Sequence, residues 1–151
     1  MIKNIINTFF ILFISFGASA DESFKCISQY KTHVEDDTES VNFEGRITVF
    51  LQNDNNGFFS LAGHVSTKDN HYLLSRTANF TLASQEVNQV KKVNIIKVIK
   101  HPTDTTPEDI WMDYILPELP GIDFHIEIWS LKDNLILIKS INTGYLVCAK
   151  T

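Results

Sequence analysis

The chain has 151 residues, 44% of them hydrophobic and 21% charged, with 13 basic against 18 acidic side chains and a formal net charge of −5. That is room for one ordinary domain, and the composition is not that of a disordered chain. The negative balance argues against a nucleic-acid partner, which demands a basic surface, and two cysteines suffice for one bridge but not for a disulfide-dense scaffold.

The first element reads as an address. Lys3 gives a basic start, Ile5 to Phe16 is rich in Ile and Phe, and Ala18, Ser19 and Ala20 form a small-residue cleavage pattern ahead of Asp21 and Glu22. This is the layout of a secretory signal over residues 1–20. The competing reading is a retained anchor over residues 5–20, slightly shorter than the roughly 17–25 residues a spanning helix needs. Either way residues 21–151 are expected outside the cytoplasm as a single β-rich domain. Cleavage after Ala20 would leave 12 basic against 18 acidic groups.

Cys26 and Cys148 bracket that domain. In an oxidising compartment an isolated even pair is most simply a disulfide, here tying the first strand to the last. Neither cysteine lies in a C-x-x-C motif, so a catalytic or metal thiol is the weaker reading.

Strand patterning follows. Ile47, Val49 and Leu51 alternate with polar residues, Asn53 to Gly57 is a dense turn signal, and Phe59, Leu61, Gly63 and Val65 alternate again. Residues 45–65 therefore read as a hairpin. After a turn at Thr67–Asn70, Tyr72, Leu74, Arg76, Ala78, Phe80 and Leu82 share one face of a third strand. Residues 84–92 read as a loop, and the acidic run from Glu35 to Glu39, beside His33, as another. Val93 to Ile99 is a β-branched run. Thr106, Pro107, Glu108 and Asp109 read as a helix start with Thr106 as cap, and Ile110, Trp111, Tyr114 and Ile115 recur at helical spacing. Alternating or apolar stretches at 122–129, 135–141 and 145–149 close the chain. The expected fold is mainly β: a curled antiparallel sheet or barrel-like meander of some eight short strands, in two groups around one short helix near 106–116.

Chemistry is sparse. No G-x-S-x-G, H-E-x-x-H, P-loop or G-x-G-x-x-G occurs, and no calcium-loop spacing. His64 and His71 flank a hairpin turn, and Asp123, His125 and Glu127 share a polar strand face; both read as solvated surface before they read as metal sites. No catalytic residue, metal or other cofactor is assigned. A hydrolase with a dispersed triad stays open as a minor reading. Arg76 stands out, because an arginine on an apolar face must snorkel, pair with a carboxylate or meet an anion. Asp113 and Glu118 are its candidate partners. Tyr72, Trp111, Tyr114 and Trp129 are candidates for a ligand cavity or a protein interface, against the plainer reading of core filling.

The segments "FKCIS", "GRITVFLQNDNNGFFSLAGHV", "YLLSRTANFTL", "TPEDIWMDYILPEL" and "YLVCAK" together resemble the FidL-like proteins of enteric bacteria. The resemblance covers most of residues 21–151 and lies in strand pattern, glycine placement, Arg76 and the outer cysteines. It implies a small exported or inner-membrane protein, encoded beside membrane-bound ToxR-type transcription regulators. By analogy with the ToxR–ToxS arrangement, it implies a periplasmic companion that binds the regulator's periplasmic domain and bears on virulence regulation. In such pairs the two chains build a β-barrel that receives a bile-type amphipath. One departure is the cleavable-looking Ala18–Ala20, since the family usually keeps its membrane segment. Two functional readings result: a non-enzymatic companion of a regulator, and a periplasmic binder of bile salts or fatty acids with Arg76 meeting the anionic head group. A membrane contact is expected only if the N-terminal segment is retained.

Overall fold

The computed structural model describes residues 23–37, 39–53, 55–83, 90–116, 120–140 and 144–151. In chain order the strands are β1 (Phe24–Glu35), β2 (Ser40–Asn53), β3 (Asn56–Ser66), β4 (His71–Leu82), β5 (Val90–Lys100), β6 (Asp123–Lys132), β7 (Leu135–Ser140) and β8 (Gly144–Lys150). Each pairs antiparallel with the next and β8 returns to β1, which closes the sheet into an eight-stranded up-and-down barrel. Between β5 and β6 lies α1 (Glu108–Ile110), which runs directly into a π-helical turn at Trp111–Ile115. The mainly β meander with one short helix is therefore the observed architecture, and closure is what the fold adds to it.

Period-two patterning builds the wall. Along β4 the buried residues are Leu74, Arg76, Ala78, Phe80 and Leu82, every second position, while the intervening side chains are less covered. The same alternation puts Val41, Phe43, Val49 and Leu51 of β2, and Leu61 and Val65 of β3, inside. At the β2–β3 corner Gly45 pairs with Gly63. A Cβ at Gly63 would meet the Glu44 carbonyl oxygen and the Gly45 Cα, and a Cβ at Gly45 would meet the Ala62 carbonyl oxygen and the Gly63 Cα. The two backbones approach too closely for any side chain, as a sharply coiled barrel wall requires.

The core has two centres. Val41, Phe43, Leu61, Val65, Leu74, Ile95 and Trp111 pack near the end that carries the helix. Cys26, Val49, Leu51, Phe80, Leu82, Val93, Ile136 and Cys148 pack toward the other end. Ile47, Phe59 and Phe124 touch both clusters and are only partly buried.

Several boundaries differ from the expectation. The strands form one continuous meander rather than two groups, because Val90–Asn94 of β5 pair with Asp123–Glu127 of β6 across the helix segment. Val90–Lys92, expected in a loop, thus belong to β5; residues 84–89 lie outside the described residues. His33 and Glu35, expected in the acidic loop, belong to β1 and pair with Asn42 and Ser40. The strands are also not uniformly short: β2 has 14 residues and β1 and β4 have 12 each, as a tilted wall around a cavity requires. Thr106 is not the helix cap. Pro107 occupies that position without a side-chain cap, and the Thr106 hydroxyl donates to the Leu73 carbonyl at 3.1 Å. Residues 1–20, with the expected address, lie outside the described residues. Among the described residues no helix is long and apolar enough to cross a membrane.

Candidate functional site

Barrel closure is uneven. β1 pairs with β2 along its whole length, from Phe24↔Leu51 to Glu35↔Ser40. Against β8 the described ladder has two pairs, Cys26↔Lys150 and Ile27↔Ala149. The Cys26–Cys148 disulfide, expected from sequence, lies at this short join, with Cα atoms 5.5 Å apart and both residues buried. Thr151 N–H donates to the Lys25 carbonyl at 2.8 Å beside it. Beyond Ile27 the two strands carry no further pair among the described residues. Among the described residues the barrel is clasped at one end of this seam and carries no β1–β8 ladder pair along the rest.

A cavity of about 390 Å³ fills the space behind the seam. Tyr30, Thr32 and Val34 of β1 line one side, and Gly144, Tyr145 and Leu146 of β8 the other. Its floor and back are Ile47, Phe59, Phe124, Ile126 and Ile138. Three of these, Ile47, Phe59 and Phe124, are the residues that bridge the two core clusters, so the cavity is the gap between the clusters. The roof is Asp113, Tyr114, Ile115 and Leu116. Leu116 N–H donates to the Trp111 carbonyl at 2.8 Å, the wide-turn bond that gives the π-helical geometry there. The Tyr114 hydroxyl donates to Asp36 Oδ2 at 2.8 Å, which ties the roof to the β1–β2 hairpin. An eight-stranded barrel has an interior just wide enough to be filled by side chains or to hold one small ligand, and a volume in the range of roughly 300–1,000 Å³ suits a small-molecule site.

Arg76 is engaged elsewhere. Its side chain is 1% exposed. Nε donates to Asp104 Oδ2 at 3.2 Å, Nη1 to Glu108 Oε2 at 2.8 Å and Nη2 to the Thr106 carbonyl at 2.9 Å. The guanidinium carbon lies 4.7 Å from the Trp111 ring centroid. Asp104 is fully buried and also accepts from Ser75 N–H at 2.8 Å and Thr106 N–H at 2.9 Å. This network fastens the 101–111 segment across the barrel end. The expected partners were Asp113 and Glu118. Asp113 instead lines the cavity, Glu118 lies outside the described residues, and the carboxylates that hold Arg76 come from Asp104 and Glu108. Sequence reasoning missed Asp104 because it sits in a polar loop, where a buried acid leaves no periodic trace. Arg76 is not among the cavity-lining residues.

The other candidate residues separate. Tyr114 lines the cavity. Trp111 is 1% exposed and packs in the core beneath Arg76, and Tyr72 packs partly buried against the same cluster. Trp129 is on the outer face of β6, 44% exposed, and its Nε1 donates to Glu127 at 3.1 Å. His64 and His71 flank a shallow depression with Lys31 and Glu44. On the exposed β6 face, Asp123 pairs with Lys92 at 2.8 Å and Glu127 with Lys139 at 3.5 Å. The Asp123 carboxyl is held below its ordinary value, first by the hydrogen bond from Lys92 and then by that from Asn94. Among the described residues no group of three or more His, Cys, Asp or Glu is placed to hold a metal ion.

No curated protein matches the chain. Residues 63–148 match the family described as "FidL-like putative membrane protein", a stretch that runs from the middle of β3 through the roof to Cys148 in β8. The match covers most of the cavity wall together with Arg76 and its acceptors, and the chain belongs to the FidL-like family.

Proposed function

We propose that this chain is a non-enzymatic barrel, outside the cytoplasm, that takes the apolar part of a small amphipathic molecule into the cavity behind the β1–β8 seam. The observation that carries this reading is the apolar gap of about 390 Å³ between two otherwise close-packed clusters, flanked by strands that stop pairing. A filled barrel would gain dispersion contacts that this one forgoes, so the space has a use that outweighs the lost packing. The Cys26–Cys148 bridge supports an oxidising compartment. Thermal unfolding of the full chain with a panel of alkyl amphiphiles tests the reading. Saturable stabilisation is expected, and Ile138→Trp, which occupies the cavity, should abolish it while leaving a folded barrel by circular dichroism. Equal response of wild type and Ile138→Trp would refute it.

A second reading has its own observation. Along the seam, β1 beyond Ile27 and β8 before Ala149 have no ladder pairs with each other among the described residues. Strand addition there would let an extended segment of a partner complete the barrel. The partner proposed for this edge, from the resemblance to the ToxR–ToxS arrangement, is the periplasmic domain of a ToxR-type regulator. Hydrogen exchange checks this: adding that domain should protect backbone amides of 28–34 and 145–148, and protection confined to other strands would exclude the seam as the contact.

A further inference from the structure

The charge pattern of the cavity deepens the first of these readings and rests on it. We propose that the cavity selects a cationic amphiphile, an amine or quaternary ammonium with an apolar body, and that Asp113 receives its head group. Among the described residues the lining has one charged side chain, Asp113, and neither lysine nor arginine. Asp113 sits on the π-helical turn of the roof, exposed, and makes no hydrogen bond or ion pair among the described residues. Its neighbour Tyr114 places a second carboxylate, Asp36, at the same roof–hairpin junction. Lys31, the basic residue of β1 next to the lining residues Tyr30 and Thr32, is held by Glu44 at 3.0 Å. Arg76, deeply buried, donates to Asp104, Glu108 and the Thr106 carbonyl.

An anionic head group at this mouth would meet the Asp113 carboxylate beside an apolar wall, with no lysine or arginine among the described lining residues to offset it. Coulomb repulsion acts there, reduced by the solvent that reaches exposed Asp113. An ammonium at the same place gains attraction and donates hydrogen bonds to Asp113. The polar atoms left on the lining, the hydroxyls of Thr32, Ser140 and the tyrosines, accept as readily as they donate and so do not oppose a cation.

Decylammonium, decanol and decanoate share one apolar body and differ in charge, which makes them the probes. Isothermal titration of the full chain at neutral pH, below the aggregation threshold of each probe, should give one site. Decylammonium should bind at least about tenfold more tightly than decanoate, with decanol between and competing for the same site. Asp113→Asn removes charge from an exposed position and should bring decylammonium to the level of decanol. Binding of decanoate as tight as that of decylammonium, or a preference unchanged in Asp113→Asn, overturns charge selection while the cavity reading stands. Many weak decylammonium sites that decanol does not compete for also overturn it, since they would report the acidic surface. Failure of all three probes to bind would remove the cavity reading itself.

Discussion

Arg76 shows how one residue converts a loop into a lid. A guanidinium placed on the inward face of β4 cannot remain unpaired, and its three donor directions reach Asp104, Glu108 and the Thr106 carbonyl. Breaking a buried pair leaves the surviving charge uncompensated, at a cost of about 3–5 kcal/mol. Asp104, its side chain fully buried, is that surviving charge, left with half-exposed Lys100 at 3.6 Å as its remaining ion-pair partner. Arg76→Met is therefore expected to destabilise by about 3 kcal/mol in denaturant unfolding. Arg76→Lys should recover little of it, because a single ammonium cannot serve three acceptors set by a planar fork. A full rescue by lysine would show that charge alone matters. At the surface, Asp123 provides a milder test. Its carboxyl is depressed by Lys92 and Asn94 from an ordinary 3.8. A carboxyl lowered in the folded state stabilises fully above its unfolded value and loses that contribution as pH falls through the folded one. The side-chain resonance of Asp123 should therefore titrate below pH 3.8, and Lys92→Met should move the midpoint up. The need for an Arg76 partner was legible in sequence from its place in an apolar row. The partner's identity was not, because Asp104 lies 28 residues away and only β4–β5 pairing brings the loop over it.

At the scale of elements, the β2–β3 corner and the roof set the cavity's walls. Gly45 and Gly63 face each other where the backbones are in contact. Gly63→Ala should push the Glu44 carbonyl and open the corner, with a loss of about 1–3 kcal/mol in stability measured by urea unfolding. A neutral result would mean the corner relaxes freely. The same alternation that marks β2, β3 and β4 in sequence fixes which residues point inward, so these elements were readable from period-two patterning alone. The helix was readable in part. Its start and its aromatic spacing predicted a short helix at 106–116, yet Pro107 rather than Thr106 takes the cap position and the second half widens into a π turn. Thr106 is instead used for a long-range bond to Leu73. Capping rules describe what a helix needs locally, and here β4 competes for the same hydroxyl.

For the whole molecule, the disulfide and the seam decide how the barrel closes. A bond across a separation of 122 residues removes up to about 5 kcal/mol of unfolded-state entropy in the chain-entropy model. Since β1 and β8 are joined by two described pairs, the bridge is also the main fastening at that join. The Cys26→Ser, Cys148→Ser variant is expected to lose several kcal/mol, read as a lower denaturation midpoint, and reduction of the wild type should reproduce it. Protection from hydrogen exchange should fall most in β1 and β8. A uniform loss across all eight strands would point to the unfolded-state effect alone. The cysteines were legible as a pair because they are the chain's two and bracket its strands.

By itself the sequence determined a small acidic β-rich domain, its strand faces, its helix and its single bridge. These follow from local periodicity, turn chemistry and cysteine count, each encoded within a few residues or in simple arithmetic. Only the tertiary structure decided that the sheet closes, that two β1–β8 pairs join the seam among the described residues, and that the interior keeps a gap between two packed clusters. Closure and register depend on strand pairs far apart in sequence, and a cavity is a property of what several strands together fail to fill. That same assembly moved Trp129 to the outer surface, gave Arg76 to the chain's own carboxylates and left Asp113 at the mouth of the cavity.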